Sequence, residues 1–307
     1  MRLIHCACAS RLLIDASTNV TLPAVPSRSD LRFLDEVARE LLPVDPTPSL
    51  AEIAASPSVA HMGAPGPAPQ EPAERLRVVV SGTDAALGAV LTRMMRADYL
   101  WAEVAYLPAD ATSAGAAVWG MSGLSEADRL VAAVEAPVAP SPCIRTDRSE
   151  VVAGSATLTR ADPAREFIGE IVVDSDVLLH REDNGTSAVF AGDFGAKLVP
   201  MNDQPGIAAS RMTTPANAAG PSGKRSPEQL EALARLPFGS WLTRGAAVAP
   251  GRVDASSVRT GRAVQAGGVD IRVTVDGVAR PRPVDRVTFY RHLRDLQSVK
   301  IPAQESK

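Results

Sequence analysis

A chain of 307 residues is long enough for two domains of ordinary size, and a hydrophobic fraction of 45% supplies enough apolar side chains for a buried core. The formal net charge of -3 lacks the strong excess of Lys and Arg that is typical of nucleic-acid binding, so no nucleic-acid partner is expected. No run of apolar residues approaches the roughly 20 that a membrane-spanning helix needs, so no transmembrane segment is predicted.

The cysteines and the N-terminal residues predict a cytoplasmic protein. Three cysteines are too few and too unevenly spaced for a disulfide framework, which favours a reducing compartment. The apolar stretch after Met1 is short and is interrupted by His5, so it makes a poor secretory signal. His5, Cys6 and Cys8 could bind zinc, but three ligands without a distant fourth do not close a tetrahedral site. A flexible N-terminal segment is the interpretation that we favour.

The first predicted element is a helix from Ser29 to Leu42, whose apolar residues recur at helical spacing until Pro43 ends it. A short second helix is predicted from Ser49 to Ala55. Residues 56–74 are rich in Pro, Gly and Ala, which predicts an exposed linker. Residues 1–75 are therefore assigned to N-terminal helices and a linker.

An α/β pattern follows this linker. The β-branched run from Leu76 to Val80 predicts a buried strand that leads through a turn of small residues into a helix. Trp101 to Leu107 predicts a second strand, and two further helices are predicted from Thr112 to Trp119 and from Ser125 to Val134. This order of elements predicts a Rossmann-like α/β domain over residues 76–140.

The remaining residues, 141–307, are predicted to form a β-sandwich. Short strand patterns are separated by turns rich in Asp, Asn and Gly. The patterns run from Glu150 to Leu158, from Phe167 to Leu179, from Ala188 to Val199 and from Asp270 to Val275. An inserted loop and a helix with Ser226 as its predicted cap interrupt them at residues 213–236.

The segment from Pro281 to Arg294 is dense in Arg and aromatic residues. One interpretation is contact with an acidic lipid head group or another partner, which would bring the protein into peripheral contact with a membrane. The alternative, which we favour, is a strand that packs on the first domain with its Arg side chains in water. Charged and apolar residues alternate along the segment, as a half-buried strand requires.

The main candidate for chemistry is the turn from Gly82 to Ala86, between the predicted strand and helix. The start of a helix leaves backbone N–H groups without partners and carries the positive end of the helix dipole, which favours a bound phosphate. Asp84 could hold a metal ion that bridges phosphates, or it could be a helix cap, the more common role of Asp at that position. Ser81 and Ser155 have no His close by in the sequence, so a Ser-His-Asp site is not expected.

In order and spacing, three segments resemble motifs of the diacylglycerol kinase and bacterial lipid kinase family, which shares a superfamily with NAD kinases. Gly82–Leu87 is similar to the Gly-Gly-Asp-Gly-Thr loop, Leu107–Ser113 to the Pro-x-Gly-Thr-x-Asn motif, and Asp276–Val278 to the Asp-Gly-Glu motif. The resemblance implies a Rossmann-like N-terminal domain followed by a β-sandwich domain. It also implies a nucleotide or phosphate site formed by Gly82, Thr83, Asp84, Ala85, Thr112 and Ser113, with Asp84 as the metal ligand and Asp276 as the catalytic carboxylate.

The sequence also departs from these motifs. Thr83 and Ala85 restrict the backbone where the family relies on glycine, and Val278 replaces the Glu that takes part in activating the acceptor hydroxyl. We therefore favour a degenerate kinase-like protein that binds a lipid or metabolite without efficient phosphoryl transfer and without a cofactor. The alternative is an active kinase that uses ATP and Mg²⁺ to phosphorylate a lipid or another small hydroxylated acceptor.

Overall fold

The computed structural model describes residues 1–43, 55, 63–69, 71–217, 226–236, 243, 246 and 248–300. Contacts divide the chain into two compact units. The first consists of Met1–Ser155, Val199–Gly206 and Tyr290–Lys307, and the second of Ala156–Leu198 and Ile207–Phe289. These units differ from the predicted boundaries at residues 75 and 140, because the first unit includes stretches from both ends of the chain.

The strands are, in chain order, β1 (Arg2–Cys8), β2 (Thr18–Leu22), β3 (Leu76–Gly82), β4 (Glu103–Pro108), β5 (Ile144–Thr146), β6 (Ala156–Arg160), β7 (Gly169–Val173), β8 (Asp176–Arg181), β9 (Gly195–Pro200), β10 (Ile207–Met212), β11 (Arg259–Gly261), β12 (Ala263–Val275), β13 (Val278–Ala279), β14 (Val284–Arg291) and β15 (Gln297–Ser298). The helices are α1 (Arg32–Leu41), α2 (Asp84–Arg96), α3 (Ala114–Val118), α4 (Glu126–Glu135) and α5 (Pro227–Ala234), and a 3₁₀ turn spans Ala255–Ser257. The helix predicted from Ser49 lies outside the described residues, apart from Ala55.

A parallel sheet with the strand order β15-β4-β3-β1-β2 forms the centre of the first unit. Every residue of β3 and of β4 is buried, as expected for strands that are covered on both faces. Val78 and Val80 pack with residues of α1 and α2, whereas Val79 packs with Ala133 of α4. Alternate side chains of one strand therefore build two hydrophobic cores, one on each face of the sheet.

The expectation of a flexible N-terminal segment is wrong, because β1 lies inside the sheet between β3 and β2. Its Cys6 and Cys8 are buried free thiols, and His5 has no exposed surface. No group of three His, Cys, Asp or Glu side chains that could hold a metal ion occurs within the described ranges. The zinc interpretation therefore has no support in this part of the chain.

The second unit is built on an antiparallel sheet with the strand order β11-β10-β9-β6-β12-β14, to which β7, β8 and β13 are attached through β12. The prediction of an α/β part followed by an all-β part is confirmed. The predicted start of α5 is also confirmed: Ser226 caps the helix, and Gln229 completes a capping box. The predicted strand near Pro281 is β14, in which Val287 and Phe289 are buried.

Within the part of the chain that the structure describes, no helix is long and apolar enough to cross a membrane.

Candidate functional site

The candidate loop, the turn from Gly82 to Ala86, joins β3 to α2, and two of its backbone N–H groups have no acceptor among the described residues. Thr83 has an extended backbone, and its hydroxyl accepts a hydrogen bond from the N–H of Ala86 at 3.3 Å. The carbonyl of Thr83 accepts from the N–H of Leu87 at 3.1 Å. Among the described residues, the N–H groups of Asp84 and Ala85 have no acceptor. Two donors therefore remain at the positive end of the helix dipole.

Gly82 is required for close packing at this turn. Its φ of +151° lies in a region that other residues rarely adopt. A Cβ atom at this position would lie 2.9 Å from the carbonyl oxygen of Cys8 and 3.2 Å from the Cβ of Ala86. Glycine therefore lets the end of β3 pass between β1 and α2, and this packing accounts for the residue without any ligand.

The carboxylate of Asp84 connects three elements of the first unit. Its Oδ1 accepts hydrogen bonds from the hydroxyl of Tyr106 at 2.8 Å and from that of Ser113 at 2.7 Å. Its Oδ2 accepts from the N–H of Gly115 at 2.8 Å. Since Tyr106 lies in β4 and Gly115 in α3, the two predicted phosphate-binding segments meet at the carboxyl ends of β3 and β4.

Two glycines enclose this carboxylate. A Cβ atom on Gly115 would lie 2.3 Å from Oδ1 of Asp84, and one on Gly154 would lie 2.5 Å from the N–H nitrogen of Gly115. Both oxygens of Asp84 already accept hydrogen bonds, and the described residues hold no group of three acidic, His or Cys side chains for a metal. The carboxylate is therefore engaged within the protein, and a metal ion at this position would have to compete with these donors. The role of Asp84 as a metal ligand stays a prediction.

The second motif segment, Leu107–Ser113, is held by hydrogen bonds between its own residues. Oδ1 of Asp110 accepts hydrogen bonds from the N–H of Thr112 at 2.8 Å and from its hydroxyl at 2.7 Å. These bonds lower the pKa of Asp110, which is exposed and therefore ionised at neutral pH. Ser113 caps α3 by accepting from the N–H of Ala116 at 3.0 Å while it donates to Asp84. The N–H of Thr112 is thus engaged by a carboxylate of the same loop.

Asp276 lies in the second unit, in the two-residue turn between β12 and β13. Asp276 has a φ of +49° and Gly277 a φ of +84°, and the flanking residues Val275 and Val278 are paired. Two successive residues with positive φ define a type I′ hairpin turn, for which Asp-Gly is a preferred sequence. The turn alone explains why these residues occur here, and a catalytic role for Asp276 stays a prediction.

A row of three polar side chains, of which His5 and Ser81 are buried and Asn19 is exposed, crosses the sheet beside the candidate loop. Nε2 of His5 lies 2.8 Å from the hydroxyl of Ser81, and Nδ1 of His5 lies 2.7 Å from Oδ1 of Asn19. Ser81 thus has a neighbouring His that lies 76 residues away in the sequence. His5 and Ser81 have no exposed surface, and burial lowers the pKa of His5. Because the hydroxyl is closed to solvent, this row satisfies buried polar groups and does not present a nucleophile.

The two units, one with a strand–turn–helix loop on a parallel sheet and one built on an antiparallel sheet, together have the diacylglycerol kinase type of fold. A diacylglycerol kinase from Bacillus anthracis str. Sterne has a similar structure, with 9% sequence identity and a TM-score of 0.52 over 98% of this chain and 97% of that one. A protein of the same strain that is provisionally named a diacylglycerol kinase gives 8% identity and a TM-score of 0.50 with the same coverage. An NAD kinase from Archaeoglobus fulgidus in complex with ATP covers 98% of this chain and 94% of its own, with 9% identity and a TM-score of 0.39 that is too low to support an inference.

No protein-family model matches the sequence, and no curated protein matches it. At identities near 9%, the similarity to solved structures shows the fold alone. The predicted resemblance is therefore confirmed at the level of the fold, and the chemistry of the site has to be argued from its residues.

Proposed function

We propose that this protein binds a lipid or metabolite through an anionic group at the start of α2, and that it does not transfer phosphoryl groups efficiently. The proposal rests on a difference in hydrogen bonding between the side chain of Asp84 and the backbone N–H groups beside it. The carboxylate of Asp84 is committed to three hydrogen bonds within the protein, whereas the N–H groups of Asp84 and Ala85 have no acceptor among the described residues.

Anion binding is supported by the position of those amides. They belong to the first turn of α2, a helix of 13 residues, so they lie at the positive end of its dipole. The side chain of Thr83 beside them is exposed, and those of Asp84 and Ala85 are partly exposed. Backbone N–H groups at the start of a helix are a common site for phosphate and carboxylate groups.

Inefficient transfer is supported by the charges near the loop. Phosphoryl transfer needs cations that neutralise the developing negative charge and a group that activates the acceptor. Asp110, whose carboxylate is ionised and exposed, adds negative charge on the second motif segment. Such a charge repels the phosphates of a nucleotide. Val278 has no group that could accept a proton at the position where the family has Glu.

An active kinase that uses ATP and Mg²⁺ is the second candidate. It is favoured by the hydrogen bond between Asp84 and Ser113, which brings the two motif segments together as a nucleotide site would require. In this case Asp276 would be the remaining carboxylate that could act on the acceptor hydroxyl of a lipid or another small molecule.

Binding is tested by two substitutions at one position. Ala85→Glu places a negative charge beside the amides, and Ala85→Gln has nearly the same size without the charge. Isothermal titration with ATP and with phosphatidate is expected to give saturable binding of at least one of them. The affinity should fall about tenfold in Ala85→Glu, from repulsion at a few ångströms near the surface, and by much less in Ala85→Gln. If the two substitutions lowered the affinity equally, the effect would not come from charge, and binding of the anion by these amides would be contradicted.

Transfer is tested separately with radiolabelled ATP, Mg²⁺ and diacylglycerol in detergent micelles. The expected result is no labelled lipid above the level of a reaction without protein. Sustained turnover that is lost in a folded Asp84→Asn variant would overturn the proposal in favour of the kinase. Absence of both turnover and ligand binding would overturn both candidates.

A further inference from the structure

A cavity of about 1030 Å³ lies at the amino-terminal ends of the strands of the parallel sheet. Leu76 and Arg77 at the start of β3, Glu103 at the start of β4 and Gln297 at the start of β15 line it. The candidate loop follows the carboxyl end of β3, so the cavity lies at the opposite edge of the same sheet. All residues that line it belong to the first unit, and it is independent of the proposed function.

The walls of the cavity are mainly apolar. They are formed by Leu42, Trp101, Val134, Pro137, Val138 and Pro140, together with Pro67, Ala68 and Pro72 of the segment that precedes β3. The volume is slightly above the usual range for small-molecule sites, which is roughly 300–1,000 Å³. Such a wall favours a ligand with an apolar body, because it removes apolar surface from water.

One wall is held in place by hydrogen bonds to the segment around β15. Gly66 donates its N–H to Oδ2 of Asp295 at 3.1 Å, and Ala68 donates to Oε1 of Gln297 at 3.1 Å. Nε2 of Gln297 in turn donates to the carbonyl oxygen of Gly66 at 3.2 Å. Gly66 and Ala68 of the predicted linker are therefore hydrogen-bonded to Asp295 and to Gln297 of the edge strand β15, and this stretch forms one wall of the cavity.

The floor of the cavity contains a buried ion pair. Nε of Arg77 donates to Oε2 of Glu103 at 2.7 Å, and its terminal nitrogens donate to the carbonyl oxygens of Val134 and Ala136 at the end of α4. The carboxylate and the negative end of the helix dipole therefore balance the charge of Arg77. Oε1 of the same Glu103 accepts from Nε of Arg75 at 2.5 Å.

Arg75 remains able to bind an anion. Its side chain is 55% exposed and is oriented by Glu103 through Nε, and its two terminal nitrogens have no acceptor among the described residues. Glu71 and Glu135 also line the cavity, but both are exposed, and no partner within the described ranges orients them. Arg75 is thus an oriented cation at the cavity with donor nitrogens left over, and a guanidinium group matches a carboxylate in geometry as well as in charge.

We propose that this cavity binds an elongated apolar molecule with a single carboxylate, whose body contacts the apolar wall and whose carboxylate is bound by Arg75. The chemistry that recognises the ligand is an apolar surface of suitable length beside one guanidinium group with two available donor nitrogens.

Three probes of equal length test the proposal: dodecanoate, dodecanol and dodecylamine, each titrated into the full chain below its micelle concentration. Calorimetry should show saturable binding of dodecanoate, about threefold stronger than that of dodecanol, because a contact with an exposed guanidinium group is partly screened by water. In Arg75→Gln this preference should disappear, whereas the exposed control Arg282→Gln should retain it. Stronger binding of dodecylamine than of dodecanoate would overturn the choice of a carboxylate.

A second pair of variants tests the cavity without removing a charge. Ala68→Trp fills the space from the wall, and Ala64→Trp places the same side chain in the same segment at a residue that does not line the cavity. Dodecanoate binding should be lost in the first variant and retained in the second, with circular dichroism showing that both are folded. If wild type gives no saturable binding, or if Ala68→Trp binds as wild type does, the cavity is not a ligand site.

Discussion

Replacing Asp84 with Ala is expected to destabilise the first unit by about 3 kcal/mol, and the structure allows this value to be divided among three donors. The buried N–H of Gly115 loses its acceptor, which costs about 1–3 kcal/mol. The hydroxyl of Tyr106 keeps a second acceptor, the carbonyl oxygen of Gly82 at 3.1 Å, and that of Ser113 is partly exposed to water. These two donors should therefore add about 0.5–1 kcal/mol each.

The measurement is urea unfolding followed by tryptophan fluorescence. Trp119 is a suitable probe because it is buried in the first unit and packs edge-on against Tyr106, with the ring centroids 6.3 Å apart. With a urea slope of about 2 kcal/mol/M, the Asp84→Ala midpoint should fall by about 1.5 M.

Asp110→Ala is the matched control, because it removes an exposed carboxylate that bonds within its own loop. Its midpoint should stay close to that of wild type. If Asp84→Ala unfolds at the same urea concentration as wild type, or if both variants lose the same stability, the carboxylate of Asp84 does not connect α2, β4 and α3 as argued.

Three further predictions concern residues outside the loop. Glu231 accepts from the N–H groups of residues 189–191 at 3.0, 2.7 and 3.4 Å, so hydrogen exchange at these amides should become at least tenfold faster in Glu231→Ala. Burial lowers the pKa of His5, so its contribution to stability should be constant above about pH 6.5 and should decrease as the pH falls below that value, a dependence that His5→Gln should remove. Gly154→Ala should lower the melting temperature by several degrees and Gly66→Ala should not, because a Cβ atom meets neighbours only at the first position.

The central strand–turn–helix could be predicted because its signals are local. The β-branched run before Gly82 and the apolar spacing after Asp84 fix β3 and α2 within a few residues. Thr83 and Ser226 both cap helices, as small hydroxyl residues in such positions usually do. Order and spacing of the motifs then indicated a family fold that the solved structures confirm.

The N-terminal strand and the environment of Asp84 could not be predicted because they depend on distant contacts. His5 interrupts the apolar stretch that forms β1, and its partner Ser81 is 76 residues away in the sequence. The N–H of Gly115 that binds Asp84 is a backbone group, so no side chain signals it. The role of Gly154 follows from the space between atoms, which a sequence pattern does not encode.

The first unit is assembled from stretches that are far apart along the chain, and this affects how the protein can be made and cut. During synthesis, β4 emerges from the ribosome almost 190 residues before β15, so Glu103 and Val104 have no strand partner on that side until the C-terminal stretch is made. A fragment that ends at Ser155 would leave these two residues without their strand partner, and we expect it to be less stable than the intact chain.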